Sequence, residues 1–213
     1  IGCSGLTALD LSSFNTSKVS DMSSMFCDCS GLTSLDLSHL DTRNVTNMSS
    51  MFSGCSGLTA LDLSPLNTSK VSNMSSMFSR CSGLTSLDLA SMDTGKVTNM
   101  SSMFRGCSSL TNLDFSLLDT QKVTDMGYMF CDCSSLTALN LTYMNTQKVT
   151  EMVWIFKDCS KLINLSLGEK FAFVGSNYYL SEGTWYASDG TTYTSNGKSC
   201  TIPNNKADTY TRR

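Results

Sequence analysis

The sequence predicts an α/β solenoid, in which repeated units stack with parallel strands on one face and short helices on the other, closed by a β-rich C-terminal cap. Two observations support this prediction: a fixed period along the 213-residue chain and a change of hydrophobic spacing inside each period. Seven of the ten cysteines lie 26 residues apart: Cys3, Cys29, Cys55, Cys81, Cys107, Cys133 and Cys159. Six complete units run without insertion from Cys3 to Asp158, and a seventh begins at Cys159. A constant period of this length is typical of repeat proteins, whose units bury their apolar faces against their neighbours.

Each unit is predicted to contain one short strand. Leu32, Leu35 and Leu37 have the L-x-x-L-x-L spacing of a leucine-rich repeat, so the predicted fold is leucine-rich-repeat-like. Leu35 and Leu37 alternate with polar residues, as on a strand with one buried face. Stacked units would place equivalent residues in columns roughly 4.8 Å apart.

The second half of each unit is predicted to be a helix. Its apolar residues recur every three to four positions, which would place them on one helical face: Val45, Met48, Met51, Phe52 and Cys55. The pair Asp41-Thr42 precedes this run and has side-chain oxygens of the kind that cap a helix start.

The period ends near residue 168, and we expect residues 1–168 to form the repeat solenoid and residues 169–213 the β-rich cap. Runs such as 171–174 and 183–186 indicate strands, and Asp-Gly and Asn-Gly pairs between such runs indicate turns. The Ser-Ser pair of the earlier helical segments becomes Gly127-Tyr128 and then Val153-Trp154. A surface that becomes apolar towards the last repeat is expected to be covered by the cap.

The seven periodic cysteines are interpreted as buried thiols that pack as small apolar side chains. Disulfides between neighbouring units are possible by distance, but parallel side chains give a poor torsion geometry. Cys27, Cys131 and Cys200 lie outside the period and have no predicted partner.

The composition excludes several classes of function. The net charge of −3 provides no general attraction for nucleic acid or for an anionic membrane surface, and we expect no direct membrane insertion of this segment. The chain contains one histidine, His39, and no nucleophile elbow, phosphate loop or histidine-containing metal cluster. We therefore predict no enzyme, no catalytic residue, no cofactor and no metal site.

The repeat resembles a known family of surface proteins. The string M-F-x-x-C-x-x-L-x-x-L-D-L-S-x-x-x-T-x-x-V-x-x-M, seen from Met51 to Met74, is similar to the leucine-rich-type repeats of 26 residues in BspA-like bacterial surface proteins, a Listeria-type surface lipoprotein repeat. The resemblance implies an extracellular protein of the bacterial cell surface. It also implies adhesion to a host protein or to another cell.

The exposed strand face is the best candidate binding surface, because its polar residues repeat in columns. Stacked carboxylates repel one another, and a basic partner, a cation or the surrounding solvent would relieve this. Calcium is a weaker candidate, since one carboxylate per unit falls short of its six to eight oxygen ligands. The alternative is a solvated polar face with no partner. The predicted partner-binding residues are Asp10, Asp36, Asp62, Asp88, Asp114, Ser34, Ser86, Asn112, Ser38 and Ser64.

We therefore expect a non-catalytic cell-surface binding module, an adhesin whose partner is a host extracellular or cell-surface protein or a glycan. Two alternatives stay open. The chain could be a structural stalk or spacer in a larger surface protein, or a recognition module for a glycan or a peptide.

Overall fold

The computed structural model describes residues 2–213, which form six strands in one mixed sheet. The strands are β1 (Asn112–Asp114), β2 (Ala138–Leu141), β3 (Asn164–Leu167), β4 (Gly183–Tyr186), β5 (Thr192–Ser195) and β6 (Asp208–Arg212). The prediction of an α/β solenoid with short helices is wrong, because no helix is present in this part of the chain. It follows that residues 2–213 contain no helix long and apolar enough to cross a membrane.

The sheet joins the last repeats to the C-terminal segment. Its strand order is β1-β2-β3-β6-β4-β5. β1, β2 and β3 are parallel leucine segments of consecutive units, so Leu113 pairs with Leu139 and Leu139 with Leu165. β6 is antiparallel to both β3 and β4. The equivalent leucine segments of the first four units, such as residues 35–37, form no strand.

The segment predicted to be a helix is a run of turns whose amides point alternately to two sets of acceptors. In the first set, each amide donates to the carbonyl three residues earlier at 3.1–3.2 Å; these are the amides of Met51, Ser53 and Cys55. In the second set, each amide donates to a carbonyl of the next unit at 2.7–3.0 Å; these are the amides of Met48, Ser50, Phe52 and Gly54. A helix would direct nearly all of these amides into its own i→i−4 bonds and leave none to join neighbouring units.

Left-handed backbone explains why this segment is not helical. Ser50 has a φ of 57° and Gly54 a φ of 75°, and the equivalent positions of the other units also have positive φ. Each such residue reverses the local helical sense. Turns with i→i−3 bonds still bring residues three and four apart to one side, which is why the hydrophobic spacing resembled that of a helix.

Ladders of identical side chains fill the core between units. The phenylalanine rings of the turn segment stack at centroid distances of 5.6–6.1 Å: Phe26, Phe52, Phe78, Phe104, Phe130 and Phe156. Phe115 replaces a leucine of the strand segment and meets Phe104 and Phe130 edge-on. These rings are almost fully buried, so the apolar interior runs continuously through the repeats.

The periodic thiols add a hydrogen bond to this core. From Cys55 to Cys159 each thiol donates to the carbonyl of the phenylalanine 29 residues earlier, as Cys81 does to Phe52 at 3.0 Å. Cys29 donates to the carbonyl of Cys27 instead, at 4.0 Å. The prediction of buried thiols is confirmed from Cys29 to Cys159 and is wrong for Cys3, which is exposed. Burial raises the pKa of the Cys55 thiol to about 12, so this group stays protonated at neutral pH.

A buried threonine column takes the place of the predicted helix caps. The hydroxyl of Thr42 donates to the carbonyl of Asn67 at 3.0 Å and accepts from the Asn67 amide at 2.7 Å. Thr16 bonds Asp41 in the same two ways. These threonines therefore connect neighbouring units and do not begin a helix.

The C-terminal segment continues the stack beyond the seventh cysteine. The amide of Trp154 donates to the carbonyl of Asn177 at 2.6 Å, and that of Phe156 donates to the carbonyl of Tyr178 at 2.9 Å. The ring of Trp154 also contacts Tyr179 at a centroid distance of 5.9 Å. Trp154 is still half-buried, so the C-terminal segment covers this aromatic turn surface only in part.

Candidate functional site

All ten residues of the predicted binding face are exposed. Only two of them lie on strands, Asn112 and Asp114 of β1. In the parallel register these two lie beside Ala138 and Asn140 of β2. The remaining eight lie on the leucine segments of the first four units, which form no strand.

Each aspartate of this face caps a turn at the end of its leucine segment. Oδ1 of Asp36 accepts a hydrogen bond from the amide of Ser38 at 2.9 Å. Asp10, Asp62, Asp88 and Asp114 do the same with the residue two positions later, at 2.8–2.9 Å. In the sixth unit Asn140 caps the amide of Thr142 in the same way, at 3.1 Å. This capping role was not predicted, although an Asp or Asn two residues before a turn amide is a known turn signal.

These bonds favour the charged carboxylates. The pKa values of Asp10, Asp36 and Asp62 are lowered, mainly by the backbone hydrogen bond from the serine two residues later and next by the hydrogen bond from its side chain. At neutral pH the face therefore presents ionised carboxylates in fixed positions.

A shallow depression of about 280 Å³ lies on this face over β1, β2 and β3. Its polar lining includes Asn112, Asp114, Asn140, Asn164 and Ser166. Side-chain amides and one carboxylate could hydrogen-bond a polar partner there. Within residues 2–213 there is no group of three or more His, Cys, Asp and Glu side chains arranged to hold a metal ion.

A second polar surface, the serine groove, lies on the turn segments and was not found by sequence reasoning. It has a volume of about 430 Å³ and is lined by Ser24, Cys27, Ser50, Ser53, Ser76, Ser79, Arg80, Ser102, Arg105, Gly106 and Asp132. The serines recur with the period of 26, and the predicted helix would place them on its solvent-exposed side. The sequence feature that could have indicated this groove is a pair of arginines in neighbouring units, Arg80 and Arg105.

Comparison with known proteins identifies the repeat family. The family model described as "Mycoplasma protein of unknown function, DUF285" matches residues 2–87 and again residues 81–173. No curated protein and no solved structure gave a significant match. The coarser part of the resemblance, a BspA-like and Mycoplasma repeat family, is supported by this match, whereas the Listeria-type assignment stays a prediction. Because the two matches together span residues 2–173 of 213, the chain belongs to the DUF285 family of repeat proteins.

Proposed function

We propose that this protein is a non-catalytic binding module of the bacterial cell surface, an adhesin that contacts a host protein or another cell through the strand face. The observation behind this proposal is the column of exposed, ionised aspartates that backbone hydrogen bonds hold in place. The extracellular location and the relation to Listeria-type surface lipoprotein repeats belong to the same proposal and depend on the sequence resemblance.

Fixed carboxylates favour binding because little side-chain freedom is lost when the complex forms. A row of like charges selects a partner with basic groups, mainly through the association rate and the register of the complex. Surface charges of this kind are screened by salt, so the affinity should fall as ionic strength rises.

A structural stalk is the competing function, and a specific observation favours it. The turn caps and the threonine ladder already give the aspartates and the buried threonines a role within the repeats. A stalk would need these bonds and would bind nothing through them.

Combined replacement of Asp36, Asp62 and Asp88 with asparagine separates the two functions. Asparagine should keep the turns, because Asn140 caps its turn at the equivalent position. Binding to mucin and to extracellular-matrix proteins, measured by biolayer interferometry, should weaken about tenfold, since each exposed charge pair contributes little alone. The salt dependence of binding should also decrease.

The matched control replaces Asp21, Asp93 and Asp119 with asparagine. These carboxylates also cap turn amides two residues later, and Asn47, Asn67 and Asn145 do so at equivalent positions. The control removes the same charge and should bind like the wild type. Equal loss in both variants would show that net charge matters and not the strand face, and a wild type that binds none of the probes would favour the stalk.

A further inference from the structure

The leucine segments of the first four units lie next to one another but are not paired as strands. They contain the residues equivalent to β1, at 8–10, 34–36, 60–62 and 86–88. Within residues 2–213 the amides of Leu61 and Leu87 donate no hydrogen bond, although the amide of Thr85, just before the fourth segment, donates to the carbonyl of Thr59 at 3.3 Å. A gap of about 60 Å³ is lined by residues of the fourth segment and by Asp114 of β1. Strand pairing therefore stops at β1, although the next segment lies beside it.

Neither the apolar pattern nor the turn explains this boundary. The fourth segment, 87–89, and the fifth, 113–115, both alternate apolar side chains with one aspartate. Asp88 and Asp114 each accept a hydrogen bond from the amide two residues later, at 2.9 and 2.8 Å. The same alternation and the same turn cap thus occur in an unpaired segment and in a paired strand.

The number of carboxylates does change at this boundary. Asp114 lies beside Asn140 in the register of β1 and β2, and Asn140 lies beside Ser166 in that of β2 and β3. Side chains at this position meet when strands pair, as the hydroxyls of Ser166 and Thr209 do at 2.9 Å. Beyond β1, each neighbouring pair would carry two carboxylates, and like charges directly opposite each other destabilise a sheet.

The carboxylates at this position form the aspartate column: Asp10, Asp36, Asp62, Asp88 and Asp114. None of them forms an ion pair within residues 2–213. The pKa of Asp62 is lowered, mainly by the backbone hydrogen bond from Ser64, while the charge of Asp36 acts in the opposite direction. Neighbouring carboxylates of the column therefore interact even across unpaired segments.

We propose that repulsion within the aspartate column keeps the leucine segments of the first four units unpaired, and that neutralising these carboxylates pairs the segments into strands continuous with β1. The length of the sheet along the molecule then depends on the charge of this face. A basic partner of the kind proposed for the strand face would extend the sheet as it binds, and this consequence alone rests on the proposed function.

Hydrogen exchange of the full chain at pH 7, with no partner present, tests the proposal. The double variant Asp62→Asn with Asp88→Asn leaves at most one carboxylate in each neighbouring pair from the second unit to β1, as in the pair Asp114 and Asn140. The amides of Leu61 and Leu87 should then exchange about tenfold more slowly, because paired amides are protected. The amide of Phe52 serves as the reference, since it is already bonded to the next unit.

The matched control for this variant is Asp93→Asn with Asp119→Asn. These carboxylates cap turns outside the column, and Asn67 caps its turn at the equivalent position. The control removes the same charge and should leave the exchange of Leu61 and Leu87 unchanged.

The converse variant, Asn140→Asp, places a second carboxylate beside Asp114. The turn should persist, because Asp114 caps its own turn in the same way. The amides that join β1 to β2 should exchange about tenfold faster, while those that join β3 to β6 keep their rates. Asn145→Asp is the control, since it adds the same charge at a turn position where Asp119 occurs naturally.

Unchanged exchange at Leu61 and Leu87 in the double asparagine variant would overturn the proposal, and would mean that pairing is limited by distance from β6. Equal slowing in the control variant would also overturn it, because net charge and not the column would then be the cause. Since no partner is present in these measurements, a failure of the proposed binding function would leave their outcome unaffected.

Discussion

At the scale of single residues, two tyrosines of the C-terminal segment differ in how their hydroxyls are satisfied. Tyr210 is fully buried, and its hydroxyl has no hydrogen-bond partner within residues 2–213. Leaving such a group unpaired costs about 1–3 kcal/mol. We expect Tyr210→Phe to raise the free energy of unfolding by about 1 kcal/mol in urea denaturation, because the hydroxyl is removed and the ring retained.

Tyr178→Phe is the matched control. Its hydroxyl accepts from the Cys200 amide at 2.7 Å and donates to the Cys200 carbonyl at 3.2 Å. Removing it should lower the free energy of unfolding by about 1 kcal/mol or more, since the Cys200 groups lose their partner. If both variants were destabilised equally, the Tyr210 hydroxyl would have to have a partner.

At the scale of the repeat unit, a glycine lets neighbouring backbones approach closely. A Cβ atom at Gly57 would lie 2.6 Å from the carbonyl oxygens of both Ser30 and Leu32. Backbone atoms would have to move to accept it. We therefore expect Gly57→Ala to lower the free energy of unfolding by about 1–3 kcal/mol, the usual cost of overpacking, as measured by thermal or urea unfolding.

Gly5→Ala is the control for this effect. Gly5 occupies the equivalent position of the first unit, has no positive φ and has no atom within 4 Å of the added Cβ. Its replacement should change stability by less than about 0.5 kcal/mol, as at other surface sites. A cost at Gly5 similar to that at Gly57 would contradict crowding as the cause, because the effect of Gly→Ala on the unfolded chain by itself favours folding.

The repeat unit also shows what the sequence could predict and why the rest was missed. The period and the buried positions, such as Phe52 and Cys55, followed from hydrophobic spacing alone. The helix did not, because consecutive i→i−3 turns and a helix place apolar residues at the same spacing. Ser50 gave no warning, since serine is uncommon in left-handed backbone.

The candidate surfaces were predicted unevenly for a related reason. Alternation with buried leucines was sufficient to identify Asp36 and its equivalents as exposed. Their capping bonds depend on the conformation of the turn that follows each leucine segment. The predicted solenoid did not specify that conformation. The serine groove depends on turn geometry, so Ser79 could be recognised as buried only once that geometry was known.

At the scale of the whole molecule, hydrogen bonds between units form one continuous series along the turn side. Isolated parallel bridges connect successive units through Asp21, Asn47, Asn73, Asn99, Asp125 and Glu151. The series then passes to the C-terminal segment at Trp154 and Asn177. On the leucine side, strand pairing begins only at β1, so the sheet is concentrated near the C-terminal end.

Strand β6 connects the two halves of this sheet, since it lies between β3 and β4 and pairs with both. We expect deletion of residues 208–213 to detach β4 and β5 from the repeats, because Tyr210 is lost from the core and two strand edges become unpaired. Hydrogen exchange should become faster at the amides of Trp185 and Tyr193, while the amide of Phe52 stays protected by its own unit-to-unit bond. Deletion of Arg213 alone leaves β6 intact and should change none of these rates. Unchanged exchange in β4 and β5 after the longer deletion would mean that the hairpin is held by residues 171–182 and not by β6.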